Sequence, residues 1–191
     1  MTDVKSRKST TTDIALIAAF AALNVVGALF ATIEGVPFTL QTLTVLLTGA
    51  ILGARNGALA LTLYVALGAV GLPVFANAKS GFGIILGPTG GYLLSFIVAA
   101  ALTGFIVERF IGKRATTNVA LVFAAGLAAI LFVITPLGIV GLMLNGGMTF
   151  DAAWKIAIVF VPGDIIKAIA MAFVATAVHR AFPDLLVARG K

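Results

Sequence analysis

Apolar runs long enough to cross a membrane recur along this chain with hardly a charge inside them, and that pattern restricts the fold more than any other feature of the sequence. A helix needs roughly 20 apolar residues to cross a hydrocarbon core about 30 Å thick. On that measure the runs predict spans near 13–33, 37–54, 57–72, 91–109, 118–144 and 154–180. A soluble domain of 191 residues, 61% of them hydrophobic and 10% charged, would lack the polar skin its surface requires. The bilayer is therefore the expected solvent.

The expected fold is an all-α integral membrane protein, a compact bundle of about six transmembrane helices. It comprises a tail at 1–12, a single membrane domain at 13–180 and a second tail at 181–191. The first apolar run exceeds the length of a usual signal-peptide core and lacks a clear small-x-small cleavage site, so it is read as a retained helix. Between the second and third spans, Ala54-Arg55-Asn56 leave room only for a tight turn, which predicts an antiparallel hairpin. Gly49, Gly53 and Gly57 recur there at every fourth position, a spacing that lets helix backbones approach closely.

The net charge of +6 follows from topology and needs no nucleic acid. With six spans, Lys5, Arg7, Lys8, Arg55, Arg109, Lys113, Arg114, Arg180, Arg189 and Lys191 fall on one side, while Lys79 and Lys155 fall on the other. The positive-inside rule then places both termini in the cytoplasm of a multi-pass protein of a bacterial cytoplasmic membrane. Residues 71–91, GLPVFANAKSGFGIILGPTGG, form a long outer connection that is apolar and glycine-rich. Backbone of that composition near a membrane is tolerated where protein buries it or where it lines a cavity. An ordered extracytoplasmic lid over a ligand is expected, the alternative being a plain surface loop.

Two ionisable residues lie deep in a predicted span, Asp164 and Lys167 in PGDIIK. Charge at that depth costs several kcal/mol unless paired or functional, so such a group is a site hypothesis by default. Three residues apart, they share one helical face. Pro162 and Gly163 suggest that the regular helix starts or kinks just before Asp164, which would place it near a helix N-terminus. The plain alternative is a salt bridge with an N-cap. Thr39, Gln41 and Thr42 at the start of the second span, and Asn77 and Tyr92 around the outer connection, converge at the same level. An outer-half pocket with a few hydrogen-bonding groups in an apolar lining suits a small amphipathic organic ligand.

Other chemistry is excluded or disfavoured. There is no cysteine and only one histidine, which removes thiol catalysis and makes a conventional zinc site improbable. No G-x-x-x-x-G-K-[ST] loop exists, so nucleotide hydrolysis is not expected of this chain. No catalytic residue and no metal ligand is assigned, since no G-x-S-x-G elbow or HExxH appears. Ala15/Ala19 and Ala18/Ala22 in the first helix make small-xxx-small pairs suited to close packing against another helix, in this chain or in a partner.

VPFTLQTL at 36–43, GPTGGYL at 87–93 and PGDIIK at 162–167, set in six spans, resemble the BioY family of biotin-specific S components of energy-coupling factor (ECF) transporters. The resemblance covers nearly the whole chain from about residue 12. It implies capture of biotin at the outer face of the membrane, with a transmembrane coupling subunit of the EcfT type and two ATPase subunits of the EcfA type as partners. It also implies that Asp164, Lys167 and Asn77 meet the ureido ring, and that the Ala15, Ala18, Ala19, Ala22 strip contacts the coupling subunit. Ser95 stands where the family pattern has glycine, and Lys79 makes the outer connection more basic than usual. Biotin would be cargo here, not a cofactor, and no cofactor is expected. The competing expectation is an autonomous ion-coupled transporter with Asp164 as the ion site, for which an inverted repeat is not detected.

Overall fold

The computed structural model describes residues 7–29, 39–110 and 118–182, with side chains from residue 11 onward. The described residues are helical apart from connections and one isolated antiparallel bridge between Phe75 and Lys79. The elements are α1 (Arg7–Leu29), α2 (Gln41–Ala69), a 3-10 turn (Ala76–Ala78), α3 (Phe82–Ile85), α4 (Gly90–Phe110), α5 (Val119–Ala129), a π turn (Ile130–Ile134), α6 (Thr135–Leu144) and α7 (Phe150–Ala181). α5, the π turn and α6 run on as one span from Val119 to Leu144.

Among the described residues five helices are long and apolar enough to cross a membrane as uninterrupted stretches. The hairpin predicted at 54–56 accounts for the sixth crossing. Gly53 leaves the helical region at φ 77° and ψ 179°, and α2 reverses there. A Cβ placed on Gly57 would lie 3.1 Å from Gly49 Cα, a proximity that eight residues of straight helix could not give. α4 closes on this hairpin through glycines. A Cβ on Gly49 would strike the Ala100 carbonyl, and one on Gly104 would strike the Gly53–Ala54 peptide. The predicted spacing of Gly49, Gly53 and Gly57 thus serves packing inside the chain.

Several boundaries differ from the hydropathy reading. α1 begins at Arg7, ahead of the apolar run, because a helix extends past the hydrocarbon into polar residues that hydropathy does not count. Residues 30–33 of the expected first span, 37–38 of the second, 1–6 and 183–191 of the expected tails, and Lys113 and Arg114 lie outside the described residues. α7 runs unbroken through Pro162, so the expected helix start before Asp164 is not there. The N-cap is Thr149, whose side chain accepts from Ala152 N, and Asp151 in the first turn suits the positive end of the helix.

A buried polar chain that the sequence reading did not single out fastens α1 to α2. Asn24, 1% exposed, donates from Nδ2 to Thr48 Oγ1 at 2.9 Å and to the Phe20 carbonyl at 2.8 Å, while its Oδ1 lies 3.0 Å from Thr44 Oγ1. Thr48 in turn donates to the Thr44 carbonyl at 2.6 Å. At the other end of the hairpin limb, His179 Nε2 lies 3.0 Å from the Ala50 carbonyl, tying α7 to α2. Ala21, Asn24, Gly27 and Ala28 form the inward face of α1, and Ala15, Ala18, Ala19 and Ala22 are exposed on the outward one.

Candidate functional site

The first limb of α2 is short. From Gln41 to the reversal at Gly53 it rises only about 18 Å at 1.5 Å per residue, well under a bilayer core. Its polar start therefore lies sunk within the bundle, and a cavity of about 520 Å³ opens above it, within the range of small-molecule sites. Phe96 and Ile134 in the bundle and Ile156 and Phe160 on α7 supply an apolar wall.

The polar groups are few. Lys167 Nζ lies 3.0 Å from Asp164 Oδ1, with side-chain exposures of 15% and 9%. Both line the cavity, one turn apart on the face of α7 turned inward. Thr39 and Gln41 line the cavity from the start of α2, where Thr39 Oγ1 donates to Gln41 Oε1 at 3.1 Å and Gln41 Nε2 donates to the Tyr64 hydroxyl at 2.9 Å. Thr42, 6% exposed, lines the same wall. Tyr92 packs edge-on to Phe160 with ring centroids 6.3 Å apart, and Gly138 leaves room for its ring. Its hydroxyl oxygen is buried and has no hydrogen-bond partner among the described residues, so it has donor and acceptor capacity to offer a ligand.

Residues 71–91 contribute a rim of two short turns before α4 takes over at Gly90. Phe75 anchors it: 1% exposed, the ring lies edge-on to Tyr64 at 5.7 Å and against Gly68, which has no Cβ to obstruct it. Asn77 and Ala78 follow at φ 59° and 55°, a conformation that asparagine tolerates and alanine resists. Such strain persists only where the surroundings impose it. Farther on, Asn145 Nδ2 donates to the Gly87 carbonyl at 3.2 Å and ties the rim to the end of α6.

Asp164, Lys167, Asn77, Tyr92, Gln41 and Thr39 thus line one cavity. Sequence reasoning missed Tyr64, which holds Gln41, and the apolar wall of Phe160, Ile156 and Ile134. In a chain this hydrophobic, a cavity-facing residue has no compositional mark that separates it from a lipid-facing one. Among the described residues no three of His, Cys, Asp and Glu gather as metal ligands.

Residues 2–184 match the BioY family. The chain is 40% identical over 193 residues to the biotin transporter BioY of Rhodobacter capsulatus, covering 93% of this chain and 98% of that one. It is 36% identical over 185 residues to the biotin transporter BioY of Rhizobium etli, covering 94% and 98%. With the biotin transporter BioY of Thermotoga maritima it shares 42% identity over 160 residues, 82% of this chain and 89% of that one. Its fold is similar to a crystal structure of the S-component for biotin from an ECF-type ABC transporter, with a TM-score of 0.81 at 22% identity, covering 93% of this chain and 95% of that one.

Proposed function

The chain belongs to the BioY family, transport proteins and not enzymes, and from that premise we propose that it is the biotin-capturing subunit of an ATP-driven ECF uptake system. One observation carries the reading beyond family membership: a buried Asp164–Lys167 pair forms the polar floor of an otherwise largely apolar cavity. Biotin's ureido group has two N–H donors and one carbonyl. A carboxylate accepts from the donors, an ammonium donates to the carbonyl, and the free Tyr92 hydroxyl and the Asn77 amide extend the set. The thioether ring and aliphatic chain suit Phe160, Ile156 and Ile134.

The rim at 71–91 acts as the lid, on the extracytoplasmic side, and both termini lie in the cytoplasm. Since the sequence has no phosphate-binding loop, ATP is hydrolysed on partner subunits of the EcfA type, joined through an EcfT-type coupling subunit. The exposed strip of Ala15, Ala18, Ala19 and Ala22 offers that subunit a surface for close helix packing.

The test is calorimetric titration of the purified chain in detergent with biotin, alongside an ATPase assay. Saturable binding to one site without ATP hydrolysis is expected. Absence of biotin binding by folded protein would overturn the reading, and uptake by the chain alone, driven by an ion gradient, would favour an autonomous transporter.

A further inference from the structure

Among the described residues three charged ones line the cavity: Asp164, Lys167 and Lys79. The first two neutralise each other at 3.0 Å. Lys79 makes no ion pair with any described residue, so the described part of the lining carries one net positive charge. It is exposed on the rim, where the cavity meets solvent, whereas Asp164 is buried.

The rim holds this residue in place. Phe75 N donates to the Lys79 carbonyl at 3.0 Å, and Lys79 N donates back across the turn to the Ala76 carbonyl at 3.4 Å. The turn is pinned at one end by the buried Phe75 ring and passes through the left-handed Asn77 and Ala78 to reach Lys79. A backbone conformation unfavourable for alanine is thus maintained next to a cavity charge that no described residue compensates.

We propose that Lys79 is a specificity-determining residue that selects a ligand ending in a free carboxylate. Resting on the biotin reading, this means that the acid is taken in preference to its amide or ester. With the ureido ring on the Asp164–Lys167 floor, the valerate end points to the rim. There the lysine's compact charge on a flexible stem meets the carboxylate, while a neutral amide end gains nothing from it. Because Lys79 is exposed, the effect is modest and sensitive to salt.

The test titrates wild type and Lys79→Gln with biotin and with biotinamide, at low salt and at about 1 M salt. Wild type is expected to prefer biotin by about two- to fivefold at low salt, a margin suited to an exposed ion pair. High salt should narrow it. Lys79→Gln should bind biotin as weakly as biotinamide with biotinamide affinity unchanged, and Lys79→Arg should keep most of the preference. Equal loss of both ligands in Lys79→Gln, or a preference for the acid that survives the substitution, would overturn the assignment. If folded wild type binds neither ligand, the biotin reading has failed and this assignment falls with it.

Discussion

Gln41 and Tyr64, 23 residues apart along α2, are joined by a 2.9 Å hydrogen bond from the amide nitrogen to the phenol oxygen. The contact exists because the run folds back on itself at Gly53. It also links the cavity wall to the rim, since the buried Tyr64 ring supports Phe75. Tyr64→Phe keeps the ring and removes the acceptor, leaving a buried amide N–H unsatisfied at a cost of about 1–3 kcal/mol. A lower melting temperature with the helical circular dichroism unchanged is expected, and an unaltered melt would show that this bond contributes nothing.

The reversal itself depends on glycine. At φ 77° and ψ 179° Gly53 occupies backbone space that other residues avoid, and a Cβ there would meet the Glu108 carboxylate. Gly53→Ala should destabilise the protein by about 1–3 kcal/mol. A thermal melt in detergent equal to wild type would mean that the hairpin turns in another way.

Asp164→Asn and Lys167→Met each remove one partner of the buried pair. If the pair meets the ligand, each should weaken biotin binding by roughly ten- to hundredfold in protein that remains folded, since a charge-assisted bond is worth about 1.5–3 kcal/mol. A pair that only supports the helix would show the opposite balance, with a lowered melting temperature and unchanged affinity. Titration and melting on the same samples distinguish the two.

The two faces of α1 should respond differently to bulk. Ala19→Trp adds a ring to the exposed strip, so binding of biotin by the isolated chain should be unchanged while uptake in cells falls. Ala21, 1% exposed, faces α2, and Ala21→Trp should impair folding itself. Uptake unaffected by Ala19→Trp would remove the strip as a partner surface.

Orientation can be read by labelling single cysteines in intact cells with a membrane-impermeant maleimide. Asp151→Cys, at the cavity end of α7 with 73% of the native side chain exposed, should label, and Arg55→Cys, exposed at the hairpin tip, should not. The reverse pattern would invert the topology.

Asp164 and Lys167 were legible in the sequence because a charge within an apolar run is conspicuous and costly. The hairpin was legible because three polar-tolerant residues between two runs leave no other connection. Tyr64 and Asn24 were not, since hydrogen bonds to partners 23 and 24 residues away have no local period. The course of α7 through Pro162 also defied the local rule. Proline removes one backbone hydrogen bond, but in an apolar setting the rest of a long helix can hold its path. Ile134 was hidden for a different reason, because the π turn changes which face its part of the span presents.

That π turn makes the number of residues in the fifth crossing as consequential as their kind. A wide turn accommodates an extra residue relative to regular α-helix, and one residue corresponds to about 100° of rotation. If the turn closed into regular α-helix with all its residues retained, the chain beyond it would rotate by that angle, leaving α6 out of phase with its present neighbours. In that closed form Ile134 and Leu142 would turn away from the cavity, and a bulkier side chain would come to lie where Gly138 now admits the Tyr92 ring. Deleting one residue between Ile130 and Ile134 lets the helix close without that rotation, so it should be better tolerated than inserting one, although either leaves the hydropathy profile nearly untouched.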